Sequence, residues 1–204
     1  MQAEGQVGPQ VLSDGAQQAI RIGKSGEVSI AEAHGRYYEA TYRKQLFTAY
    51  AGGVVVTLAN TTATGLILLN PLGNNKNCVL QKTGGFIAVT SASTTGIVLG
   101  TFQQNALPTG LTAITIQSNF IATTPGATAA AYSAATIANA QTPLKTLLHN
   151  TAAIGTTGED QGWELDFEGS VIVPPGFGVS LVALGAATAA SSVFADLSWE
   201  EVAI

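Results

Sequence analysis

The sequence predicts an all-β protein, a jelly-roll-like β-sandwich with an extended N-terminal arm, and three observations carry that prediction. Short β-branched runs recur between Gly, Pro and Asn punctuation from Gly53 onward. Two of these runs alternate apolar and polar residues strictly enough to assign one face to a core and the other to water. Residues 1–44, by contrast, lack a strong apolar period and are punctuated by Gly15, Gly23, Gly26 and Gly35.

The arm, residues 1–50, comes first. A segment this short and glycine-rich cannot bury enough surface to order itself, so a neighbouring subunit is its expected support. The sandwich domain, residues 51–204, follows. Its expected strands are Gly53–Ala59, Thr64–Asn70, Asn77–Lys82, Gly85–Thr90, Gly96–Phe102, Leu111–Ala122, Trp163–Val173, Phe177–Leu184 and Val193–Val202. Asn70-Pro71-Leu72-Gly73-Asn74-Asn75 and Pro174-Pro175-Gly176 are turn signals between them. Many short strands with this spacing favour a sandwich or jelly roll.

Faces are legible in two strands. Trp163, Leu165 and Phe167 point one way, and Glu164, Asp166 and Glu168 the other. In the last strand Val193, Ala195, Leu197 and Trp199 oppose Asp196, Ser198 and Glu200. Residues 123–157 form a long insertion between strands. Thr142 before Pro143 offers a short helix start, while the Ser and Thr that interrupt the alanines of 129–136 favour loop or strand there. Insertions of this length in a sandwich often carry contacts.

The chain has 204 residues, enough for one domain with an arm and too few for a large multidomain enzyme. Only 10% of the residues are charged, against about 25% in a typical domain. With 46% apolar residues the chain is no disordered polymer. A surface so short of charge is expected to be covered by other subunits, which makes the protein an assembly component.

The charges are also segregated. Residues 1–44 hold five of the eight bases and five acids, residues 45–158 hold no acid and only Lys76, Lys82 and Lys145, and residues 159–204 hold eight acids and no base. Such asymmetry suggests faces that meet different surroundings. Met1–Gly8 lacks the basic and apolar regions of a secretory signal, so the chain is expected to stay in the cytoplasm where it is made. The apolar runs are too short for a membrane span, and the lone Cys78 is expected to be a buried thiol.

No motif identifies a reaction, a cofactor or a metal. Gly23-Lys24-Ser25 lacks the earlier glycine of a phosphate-binding loop, since Gln18 stands there. His34 and His149 have no metal-ligand spacing, and no GxSxG elbow is present. Glu164, Asp166 and Glu168 have the oxygen chemistry for a hard cation, although a solvated acidic face explains them more simply. They are equally thin as a glycosidase pair. Arg36, Tyr37, Tyr38, Tyr42 and Arg43 interleave cations with aromatics. That pattern suits nucleic acid, but the arm's net charge of zero argues for a protein interface, where Tyr and Arg are enriched.

Four segments carry a family likeness: Gly35-Arg36-Tyr37-Tyr38-Glu39-Ala40, Thr64 to Pro71, Glu168 to Gly176 and Ser198-Trp199-Glu200-Glu201-Val202. Together they resemble a group of tailed-bacteriophage virion structural proteins. The resemblance implies a capsid cement or decoration protein, a homotrimer that binds the major capsid protein at the virion surface after synthesis in the host cytoplasm. Its motifs are structural and mark no catalytic site, and the arm's zero net charge and the short apolar runs lead to the expectation of no nucleic-acid or membrane partner. The alternative is a head-fibre or tail component that binds a host glycan or receptor. Such a binder should expose aromatic rings in loops, whereas Trp163 and Trp199 fall on apolar strand faces.

Overall fold

A computed structural model describes residues 36–57, 60–87, 96–121, 126–149, 161–184 and 192–204. The expected extended conformation of residues 1–35 lies outside this set. The described residues form one short helix, α1 (Tyr38–Tyr42), and eleven strands: β1 (Leu46–Val55), β2 (Thr62–Asn70), β3 (Lys76–Ile87), β4 (Gly96–Gln103), β5 (Thr109–Ala113), β6 (Ile116–Ser118), β7 (Ala130–Thr136), β8 (Thr142–His149), β9 (Gln161–Val173), β10 (Phe177–Ala183) and β11 (Ser192–Ala203). The chain divides into two units between Tyr38 and Glu39, and every strand among the described residues belongs to the second.

The strands make two antiparallel sheets, ordered β6-β1-β11-β3-β9 and β5-β7-β2-β10-β4-β8. Without β5, β6 and β7 these reduce to β1-β11-β3-β9 and β2-β10-β4-β8, two interlocked Greek keys, which is jelly-roll connectivity. The excursion between β4 and β8 adds β6 beside β1 and β7 beside β2, with β5 outside β7. The all-β sandwich expected from the sequence is therefore the observed fold.

Alternating side chains from the inner faces fill the space between the sheets. Phe47, Ala49 and Ala51 of β1, Leu66 and Leu68 of β2, and Ile97 and Leu99 of β4 belong to this core. So do Trp163, Phe167, Val193, Leu197 and Trp199, with Leu165 partly buried against them. Trp199 is wholly buried, its ring 6.2 Å from that of Phe47. Gly85 is glycine for a packing reason: a Cβ there would strike the Trp163 ring and the Phe194 carbonyl. A second cluster, including Ile67, Leu69, Phe102 and Tyr132, lies on the outward face of the six-stranded sheet. β2 is thus buried on both faces, which is why Leu66-Ile67-Leu68-Leu69 reads as a continuous apolar run rather than an alternation.

Four expectations need correction. β1 begins at Leu46, so Leu46–Tyr50 belong to the sheet and not to the arm. The two runs Asn77–Lys82 and Gly85–Thr90 are one strand, β3, as far as Ile87, where the description stops. Gln81 is a bulge in β3 that shifts the inward set from Cys78 and Leu80 to Thr83, Gly85 and Ile87, and a phase slip reads as a break. The run Leu111–Ala122 is two strands, β5 and β6, in different sheets. Finally, Pro143 sits opposite Gly100 on edge strand β8 rather than starting a helix, whereas the alanines of 129–136, read as loop or strand, do form strand β7.

The alternation of β9 and β11 makes Trp199 a sensitive position. Trp199→Ala is expected to destabilise the domain by about 3–5 kcal/mol, the usual cost of truncating a buried tryptophan. Denaturant unfolding checks it; an unchanged midpoint would refute the face assignment.

Candidate assembly surface

The residues expected to form an interface surround α1. Tyr38, Tyr42 and Arg43 are exposed, as is Arg36, while Tyr37 is half-buried. The helix ends in a Schellman motif: the Gln45 N–H donates to the Ala40 carbonyl and the Lys44 N–H to that of Thr41, each at 2.9 Å. Lys44 takes the left-handed position with φ of 60°, a place that glycine normally fills. Its ammonium lies 5.6 Å from the centre of the Phe120 ring, and Tyr42 meets the same ring edge to face at 6.4 Å. Arg43 donates to the Glu39 carboxylate at 2.7 Å.

The five candidates are divided between the two units. Tyr42 and Arg43 join Lys44 and Phe120 at the corner where β1 begins and β6 ends. Arg36 stacks over the neighbouring Tyr37 ring at 5.3 Å and, with Tyr38, falls in the first unit. The sequence reading missed Phe120 and Ile121, the latter 87% exposed. Their only signal was two large apolar residues after Ser118-Asn119, and that signal was hidden by the assumption of one continuous strand.

The outward face of the five-stranded sheet is acidic. Glu164, Asp166 and Glu168 are exposed on β9, and Asp196 and Glu200 face outward on β11. Lys82 forms an ion pair with Glu164. Asp166 accepts the Glu168 N–H at 2.8 Å, where Glu168 has φ of 51° and Gly169 φ of 74° in a bulge that re-aims the strand. Burial pushes the Asp196 carboxyl above the ordinary range despite the pull of Lys82. Among the described residues no three His, Cys, Asp or Glu side chains converge as metal ligands. Gly23-Lys24-Ser25, His34 and the loop at Glu159 and Asp160 lie outside the described residues, as does the His149 side chain.

Among the described carboxylates, one that the sequence reading passed over is the most enclosed. Glu201 continues the inward series 193, 195, 197 and 199, and its side chain is buried at the end of β11. It accepts the N–H groups of Thr128 and Ala129, the Thr128 hydroxyl at 2.7 Å and the Lys76 ammonium at 3.1 Å. The Thr128 hydroxyl in turn accepts from the Asn74 amide, which also donates to Asn70. Asn70, fully buried, donates to the carbonyls of Lys76 and Val173. The network needs no ligand, since its donors and acceptors are matched within the fold. Burial raises the Glu201 pKa, but the hydrogen bonds from Ala129, Thr128 and Lys76 together outweigh it and leave the pKa lowered. The nearby Cys78 thiol has no such support, and burial followed by the Glu201 charge pushes it up to about 12, where it is inert at neutral pH.

Trp163 and Trp199 are both buried with their indole N–H groups inside the core, so neither ring offers a sugar platform. Comparison of the chain with protein-family models, with curated proteins and with solved structures gives no match.

Glu201→Ala should strand four donors and cost about 3–5 kcal/mol, as breaking a buried ion pair does. Because the folded pKa lies below the unfolded one, the ionised group stabilises the fold above about pH 4.5 and loses that contribution as pH falls through the folded value. Urea unfolding between neutral and acid pH should therefore show a steeper acid loss for the wild type than for Glu201→Ala. Parallel curves would refute the assignment.

Proposed function

We propose that the protein is a non-enzymatic virion structural component, a capsid cement or decoration protein whose sandwich forms a homo-oligomer and whose N-terminal region ties it to the major capsid protein. The observation that carries this reading is the apolar dress of a charge-poor domain. Ile121, Ile204, Leu107, Leu72 and Tyr42 are 87%, 77%, 73%, 64% and 61% exposed. Large side chains left in water on several loops and at the chain end fit a surface that is covered by neighbours. The segments that resemble phage virion proteins support the same reading. The jelly roll alone does not select a function, because that architecture serves many.

In this reading Arg36, Tyr37 and Tyr38 belong with the segment that meets the shell. Tyr and Arg supply contact area and forked hydrogen bonds, so a protein neighbour can repay the entropy of ordering them. The outward acidic face of β9 and β11 would repel packaged DNA. Deleting residues 1–38 removes the first unit and leaves β1 whole. The truncated protein is expected to fold and to oligomerise, most simply as a trimer, yet to fail to decorate shells that lack it. Co-sedimentation with such shells is the measurement. Full binding by the truncated protein would transfer attachment to the sandwich, and a deletion that binds nothing while the full chain also binds nothing would end the cement reading.

A further inference from the structure

The outward face of the five-stranded sheet carries aromatic rings on three neighbouring strands. Tyr50 of β1, Phe194 of β11 and Phe86 of β3 alternate away from the buried set, with Phe86 directly opposite Phe194 and Tyr50 opposite Asp196, two residues further along β11. Glycines give these rings room to lie on the sheet. The Tyr50 ring reaches along β1 over Gly52, where a Cβ would stand 3.1 Å from its Cε1 and hydroxyl, and the tip of the Phe194 ring would stand 3.5 Å from a Cβ at Gly53. Phe194 stacks on Phe86 with ring centres 4.9 Å apart and planes 2° from parallel. Opposite Phe86 on edge strand β9 is Gly162, which has no side chain to lay over the ring. Tyr50 is 55% and Phe86 40% exposed.

The row beside the stacked rings is polar. The Asp196 carboxylate lies over Gly84, one oxygen 3.1 Å from where a Cβ would stand, and Glu164, opposite Gly84 on β9, pairs with Lys82. Exposed rings thus adjoin hydrogen-bond acceptors and a donor on one face, and that combination selects among occupants. A dry apolar partner would strip water from Asp196 and from the Lys82–Glu164 pair and give no hydrogen bonds in return. A nucleic-acid strand can stack on rings, but it brings phosphates against the carboxylates. A cation over the rings meets Lys82 on the same face. A neutral sugar lays its apolar C–H face on the rings, while its hydroxyls both give hydrogen bonds to the carboxylates and accept one from the ammonium.

We propose that this face binds a neutral oligosaccharide, with Tyr50, Phe194 and Phe86 as the stacking platform and Asp196, Glu164 and Lys82 as the groups that hold its hydroxyls. Tyr50 and Phe86 lie two strands and two residues apart, roughly 12 Å, a span that suits a chain of sugar rings rather than a single one. The buried tryptophans do not weigh against this, since the platform is built from other rings. Nor did the sequence put these three together: Tyr50 fell at the end of the expected arm, and only the pairing of β1 and β3 with β11 brings it beside Phe194 and Phe86. The inference goes beyond a structural role in a shell and does not depend on one.

Binding of the labelled full-length protein to an array of neutral and acidic oligosaccharides tests this, followed by titration calorimetry on the strongest ligand. At least one neutral oligosaccharide should bind. Tyr50→Ala and Phe86→Ala should each weaken that binding by about tenfold, and Phe86→Leu, which keeps apolar bulk without the ring, should weaken it in the same direction. Tyr50→Phe keeps the ring and should keep most of the affinity. Asp196→Asn should weaken binding without touching the platform. Unchanged fluorescence of the buried Trp163 and Trp199 certifies folding of each variant. Failure to bind any neutral oligosaccharide, binding confined to acidic ones, or binding untouched by both ring-to-alanine variants would each overturn the proposal. So would a Phe86→Ala protein that changes oligomeric state in sedimentation while the wild type binds no sugar, which would make the face a contact between copies. None of these outcomes involves shells, so failure here is separable from failure of shell attachment.

Discussion

Glu201 is the constraint on which the rest of the sandwich depends. A lone carboxylate in a core is costly enough that it normally protonates or is avoided. Here it lies at the end of the last strand of one sheet and takes its hydrogen bonds from Thr128 and Ala129, at the entry to β7 in the other. Lys76 closes the charge from the first residue of β3. Through Asn74 and Asn70 the same network fixes the Pro71–Asn74 turn and the end of β9. One charge therefore sets the spacing of the two sheets at that end and the register of strands that arrive from distant parts of the chain. Apolar packing is non-directional and would tolerate sliding; charge-assisted hydrogen bonds are directional and do not.

Away from that end, register is managed by bulges, and the bulges decide what the sequence could reveal. Where alternation is unbroken, as in Trp163 to Phe167 and Val193 to Trp199, faces are readable residue by residue. Where an extra residue enters, the period of two inverts. Gln81 splits β3 into two apparent strands, and Gly53, with φ of 65° within the irregular stretch of β1, cuts Leu46–Ala51 off from the part of the strand that looks apolar. β7 was harder for a different reason. Its alanines, Ala130, Ala131, Ala134 and Ala135, carry little propensity for strand, and their place in the sheet is set by pairing with β2 rather than by local preference.

How the candidate surface residues divide between the two units was not legible in the sequence. Composition placed aromatic and basic residues together between Arg36 and Arg43, and the structure divides them between two units. Phe120, which supplies the ring shared by Tyr42 and Lys44, lies more than seventy positions away in sequence and reaches them because β6 pairs with β1. Contacts of that range follow from topology, and no local pattern announces them. Glu201 was legible in principle, since it continues an inward series by two residues; a charge at such a phase signals a buried partner rather than a strand end.

Edge strands sharpen the question of how such a domain can assemble. An open edge invites strand addition and uncontrolled aggregation, and each edge here is blunted by its own means. β6 is three residues long, β8 carries Pro143 and Lys145, β9 carries three carboxylates and a bulge at Glu168 and Gly169, and β5 is irregular around Gly110. Backbone pairing between copies is thus obstructed on every side of both sheets. What remains for contact is side-chain chemistry at the corners and loop tips, where Tyr42, Phe120, Ile121, Leu72 and Leu107 stand in water. A charge-poor domain that blunts its strand edges while leaving its corners apolar offers side chains rather than backbone for any contact it makes.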